Sequence, residues 1–177
     1  MDLKKISRGG QIFIVAGLVY FIASFLAWYS VDLGDFGGDI SFNAWDVGFL
    51  WGSLWALLFL VGAVLLALPA FGVNAPKLPA ITYLLVGALA TLFTLLKLII
   101  GEDDPIETSF GIFLALVAAA VATYGGFLLF KESGGDLGDL RDPNKLRSSF
   151  GASGGSTMTP PPPPPSGGTP PPPPPHA

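Results

Sequence analysis

The chain has 177 residues, of which 51% are hydrophobic and only 12% charged, with a mean hydropathy of +0.60 and a formal net charge of −4. A soluble domain carries roughly 25% charged residues, so the deficit points to lipid as the main solvent. There is no cysteine, and the one histidine is His176, next to the last residue. Disulfides, thiolate nucleophiles, Cys/His zinc sites and His-based triads therefore have nothing to be built from.

Residues 1–10 form a basic N-terminus with Lys4, Lys5 and Arg8. An uncharged apolar run over about 11–29 follows. It exceeds the ~7–15 apolar residues of a signal peptide and no small-x-small cleavage pattern follows, so it reads as an uncleaved first span. The next loop holds Asp32, Asp35, Asp39 and Asp46 but no Lys or Arg. All four tryptophans (Trp28, Trp45, Trp51 and Trp55) frame that loop. This is the pattern of an interfacial aromatic belt, with rings among the headgroups and indole N–H groups in water.

A second span is expected over about 47–68, stopped by Pro69, with Asn43 or Asp46 as its N-cap. A short turn with Pro76 and Lys77 leads to Pro79, placed for the first turn of a third span over about 80–100. A second acidic loop (Glu102, Asp103, Asp104 and Glu107, with Pro105) precedes a fourth span over about 110–130, ended by Lys131. Runs of about 19–22 residues, at ~1.5 Å per residue, match a ~30 Å hydrocarbon core. Within lipid they must be helical, because no water satisfies the backbone. The predicted fold is all-α: a four-helix transmembrane bundle over 11–130.

Of the nine Lys and Arg residues, only Lys97 falls outside the flanks on the side of the two termini. Basic flanks stay in the cytoplasm. The expected topology is a multi-pass plasma-membrane protein with cytoplasmic N- and C-termini and both acidic loops outside. Lys97 lies one turn from the outer end of its span, where snorkelling and the helix C-terminus both favour a cation. The alternative is an outer ion pair with Asp46 or with acids such as Glu102. The acidic loops offer hard oxygens, but their spacing is not that of an EF-hand, and no metal site is expected.

In the fourth span Gly111, Ala115, Ala119 and Thr123 recur every fourth residue, beside Ala118, Ala122 and Gly126. Small residues at this spacing let helix backbones approach closely, either inside one chain or in a homo-oligomer through the fourth helix. Tyr20, Ser24, Tyr83, Thr91, Thr94, Thr123 and Tyr124 read as packing groups that bond their own or a neighbouring helix.

Residues 131–150 form a charged juxtamembrane segment. Residues 151–177 form a disordered Pro/Gly-rich tail, with proline blocks at 160–165 and 170–175. Each block is expected to be a stiff polyproline rod of about 19 Å, and no core can form there. Pro160–Pro175 offers itself to an aromatic-lined groove on a cytoplasmic protein.

The aromatic exit from the first run (Ser24-Phe25-Leu26-Ala27-Trp28-Tyr29), the Gly/Asp-rich outer loop and the Pro-rich tail resemble small four-span envelope proteins of high-GC Gram-positive bacteria. The mycobacterial thirty-four-kilodalton antigenic family shares this layout. The likeness covers residues 11–130 in plan, and this tail is shorter and lacks that group's Tyr/Gln-rich repeats. It implies a plasma-membrane protein tied to envelope growth or division.

The functional expectation is a non-enzymatic scaffold or adaptor whose tail binds a partner. No cofactor, no catalytic residue and no nucleic-acid partner is expected. The alternative is a small transporter or channel accessory subunit. Against proton-coupled transport, no Asp or Glu lies inside any predicted span.

Overall fold

A computed structural model describes residues 6–34, 37–74, 76, 78–101 and 106–135. The basic residues Lys4, Lys5, Lys77, Arg141, Lys145 and Arg147, the acids Asp35 and Glu102 to Asp104, and the Pro-rich tail lie outside them. The described chain is mostly helical: α1 (Arg8–Ala23), α2 (Leu54–Ala67), α3 (Ala80–Ile100) and α4 (Phe110–Glu132). A π-helical turn at Phe49–Ser53 leads into α2 and a 3-10 turn at Leu68–Phe71 leaves it. The stretch Phe49–Phe71, α3 and α4 are each long and apolar enough to cross a membrane, and α1 is a shorter apolar helix of 16 residues.

The expected spans at 80–100 and 110–130 agree with α3 and α4 to within two residues. The first span does not: α1 ends at Ala23, six residues before Tyr29. Beyond Ala23 the chain enters a strand, β1 (Tyr29–Asp32). It pairs antiparallel with β2 (Asp39–Phe42) on one edge and β3 (Glu107–Thr108) on the other. The all-α expectation is corrected accordingly, because the acidic loops carry a three-stranded sheet. Tyr29 faces Phe42 in register and Asp32 faces Asp39.

Aromatic and β-branched residues at 29, 31, 40 and 42 suit strands. The β1–β2 connection is made by Gly34, Gly37 and Gly38, all at positive φ. Asp32 fastens that turn, its Oδ1 accepting from the Gly34 amide at 2.8 Å. Two further bonds tie the sheet to α4: Ser109 N–H donates to the Trp28 carbonyl and Gly111 N–H to that of Ala27, each at 2.8 Å.

The start of the second helical stretch also differs from expectation. Asn43 Oδ1 accepts from Trp45 N–H and Asp46 Oδ2 from Asn43 N–H, so both build the turn after β2 and neither caps α2. Pro69 does not stop the helical path either. It enters at the first turn of the 3-10 segment, where no amide donor is needed, and Gly72 ends that segment at φ 78°.

Packing follows the small residues. The first turn of α1 lies against the last turns of α4, so these helices run antiparallel. A Cβ placed on Gly9 would sit 2.5 Å from the Leu129 amide nitrogen, and one on Gly125 would sit 2.7 Å from that of Phe13. On the other flank of α4, a Cβ on Gly126 would lie 2.7 Å from the Leu84 nitrogen, and one on α3's Gly87 2.7 Å from Thr123 Cα. Helix α4 is thus wedged between α1 and α3. Gly111, Ala115, Ala119 and Gly126 are all buried within one chain.

Candidate functional site

The described molecule has a sheet end, a helical core and an end where α1 begins and α4 finishes. At the sheet end Trp28 is 0% exposed. Its Nε1 donates to the Ala23 carbonyl at 3.0 Å, and its ring meets Tyr20 edge-on at 6.4 Å. Trp55 donates to the Leu50 carbonyl at 2.9 Å and Trp45 to Ser24 Oγ at 3.1 Å. Three of the four indole N–H groups therefore bond protein, where the sequence reading has them in water. Only Trp45 among these three keeps an exposed ring, stacked on Phe25 at 5.5 Å.

Lys97 sits beneath this cap at 7% exposure. Its Nζ donates to the Gly101 carbonyl at 3.3 Å and lies 5.5 Å from the Tyr29 ring centroid and 5.8 Å from that of Trp51. Tyr29 Oη donates in turn to the Lys97 carbonyl at 3.0 Å. The Lys97 side chain runs toward the C-terminal end of its helix. It stays under two aromatic faces at the end of α3, where ring quadrupoles and the helix carbonyls both favour a cation. Of the acids expected to pair with it, exposed Asp46 engages Asn43 and Glu102 lies outside the described residues. Among the described residues no three acids or histidines converge as metal ligands.

The core is filled with rings. Phe13 contacts Phe59 at 5.6 Å and Tyr83 at 5.3 Å, and Tyr20 contacts Phe59 at 4.8 Å. Two pairs of hydroxyls are bonded within it, Tyr20 with Thr94 at 3.1 Å and Thr91 with Thr123 at 3.0 Å, as the packing reading of those four residues expects. Among the described residues no fully buried side-chain nitrogen or oxygen lacks a partner.

The opposite end is open. A cavity of about 650 Å³ lies between the start of α1, the α2–α3 connection and the end of α4. Its apolar wall includes Leu66 and Leu129, and its polar groups include Ser7, Asn74, Tyr83 and Glu132. Ser7 caps α1, its Oγ accepting from Gly10 N–H at 3.2 Å. Glu132 reaches across from α4, and its Oε1 accepts from Gly9 N–H at 3.3 Å. A carboxylate at the C-terminal end of its own helix opposes that helix's dipole, but here it also faces the N-terminus of α1.

Comparison with known protein families, curated proteins and solved structures finds no match.

Among the described residues of the sheet end and the core, no group of acids or histidines converges and no fully buried polar side-chain atom is left unpartnered. The cavity combines an apolar wall with hydroxyls, a carboxamide and a carboxylate, which is the composition of a small-molecule site. Sequence reading passed over Glu132 and assigned Tyr83 to packing. The one local signal was an acid directly after a basic residue at a helix C-terminus, which disfavours its own helix and so implies a partner elsewhere.

Proposed function

We propose that the chain is a four-helix transmembrane bundle acting as a non-enzymatic scaffold or adaptor. Its sheet faces outward, its termini are cytoplasmic, and its tail at Pro160–Pro175 engages a cytoplasmic partner. The observation that carries this reading is the closed core: rings of Phe13, Tyr20, Phe59 and Tyr83 in mutual contact, with the hydroxyls of Tyr20, Thr91, Thr94 and Thr123 paired. A transporter or channel needs polar groups or water free to serve its path, whereas these core hydroxyls are bonded to one another. Support for the orientation comes from Arg8 and Lys131, which share the end away from the sheet. Helix α1 spans about 24 Å, and the apolar residues 25–28 continue its path to the sheet.

The test deletes residues 151–177 and records which proteins cross-link to the chain in its native membrane. The adaptor reading expects cross-linked partners to disappear with the tail and proteoliposomes of the intact chain to stay impermeable to ions and small solutes. Partners retained without the tail, or flux through the intact chain, would support the transport alternative. The envelope role implied by the family resemblance is examined in the same cells, as a change in growth-zone or septal placement.

A further inference from the structure

The open end carries an observation that packing does not explain. Tyr83 is 6% exposed and its ring is held edge-on by Phe13, yet among the described residues its hydroxyl has no hydrogen-bond partner. Since every fully buried polar side-chain atom among the described residues is partnered, this hydroxyl keeps contact with the open space of the cavity that Tyr83 lines. The ring is fixed by packing while the hydroxyl opens onto the cavity, which leaves a positioned phenol donor for whatever occupies that space.

The remaining walls define what that something is. Leu66 and Leu129 give an apolar floor, and Glu132 is the only charged side chain lining the cavity among the described residues. Its Oε1 is held by the Gly9 amide, which fixes the carboxylate at the rim and leaves its second oxygen available to a ligand. The neighbouring ammonium of Lys131 is turned away, over the Phe127 ring at 5.3 Å. The apolar side chains, the Tyr83 hydroxyl and the Glu132 carboxylate together offer a partner of matching chemistry to each part of a lipid: acyl chain, ester carbonyl and cationic headgroup.

We propose that this cavity binds a glycerophospholipid with a primary-amine headgroup, drawn from the inner leaflet. One acyl chain covers Leu66 and Leu129, an ester carbonyl accepts from Tyr83 Oη, and the ammonium lies on the free oxygen of Glu132. The choice of leaflet rests on the orientation proposed above, whereas binding itself does not involve the tail, so a failure to bind lipid would leave the adaptor reading untouched.

The experiment uses the full chain purified in detergent and native mass spectrometry with two added probes of identical acyl chains, phosphatidylethanolamine and phosphatidylglycerol. The intact chain should retain the ethanolamine lipid about tenfold better, a size set by a charge-assisted hydrogen bond. E132Q should reduce that preference to about onefold, and Y83F should lower retention of both lipids about threefold by removing one donor. L66W, which fills the floor, should abolish retention. If L66W fails to fold, Y83F decides, because it removes a single unbonded oxygen and leaves the packing intact. Equal retention of the two lipids by the intact chain, or retention unchanged in Y83F, would overturn the proposal.

Discussion

The same four helices finish very differently at their two ends. At the sheet end Trp28, Tyr29 and Ala44 are buried, a lysine is roofed by rings, and backbone bonds cross from 27–28 to both the β2 and α4 segments. At the other end the helices converge through bare glycine contacts and then part around a cavity with an unbonded hydroxyl. The difference teaches where the molecule is fixed and where it is receptive.

The comparison breaks most visibly if the cap is emptied. Trp28→Ala removes the largest fully buried side chain and should destabilise by roughly 3–5 kcal/mol, read as a lowered midpoint of thermal unfolding in detergent. At the opposite end Gly125→Val forces a side chain against the backbone of α1 and should cost about 1–3 kcal/mol. A wild-type midpoint for that variant would mean the α1–α4 seam is looser than its 2.7 Å approach implies.

Lys97→Met sharpens the account of the cap. It retains the apolar stem but loses two ring contacts and a carbonyl bond, and should destabilise by about 1–2 kcal/mol. A stabilised Lys97→Met protein would contradict it. The smallest effects form a pair: Tyr20→Phe breaks the bond to Thr94 and should cost about 0.6 kcal/mol. Tyr83→Phe, losing a hydroxyl bonded to none of the described residues, should leave the midpoint of lipid-free protein within about 0.5 kcal/mol of wild type.

These two tyrosines also mark how far sequence reading reaches. Both are single hydroxyls inside apolar helices, and nothing local says that one is paired and the other faces a cavity. The helices were legible where an apolar run ends at a charge or a turn, as α3 does at Gly101 and α4 at Lys131. They were illegible at Trp28-Tyr29, because hydropathy cannot separate a side chain buried under protein from one facing lipid. The alternation in Tyr29–Asp32 and Asp39–Phe42 around a glycine cluster was a strand signal that the membrane pattern overshadowed. The third strand, Glu107–Thr108, joins from far along the chain and left no such trace. Sequence spacing alone names no partner for the small-residue rows of α4; in the structure Gly126 meets α3 and Gly111 meets residues 27–28.

The claim beneath all of this is that the sheet end and the cavity end lie on opposite sides of a membrane. The chain has no cysteine, so single cysteines can report it directly in intact cells with a membrane-impermeant maleimide. Asp39→Cys, in the sheet, should label from outside, Ser133→Cys only after permeabilisation, and Thr94→Cys, in the core, under neither condition. Labelling of Ser133→Cys in intact cells while Asp39→Cys stays protected would contradict the account.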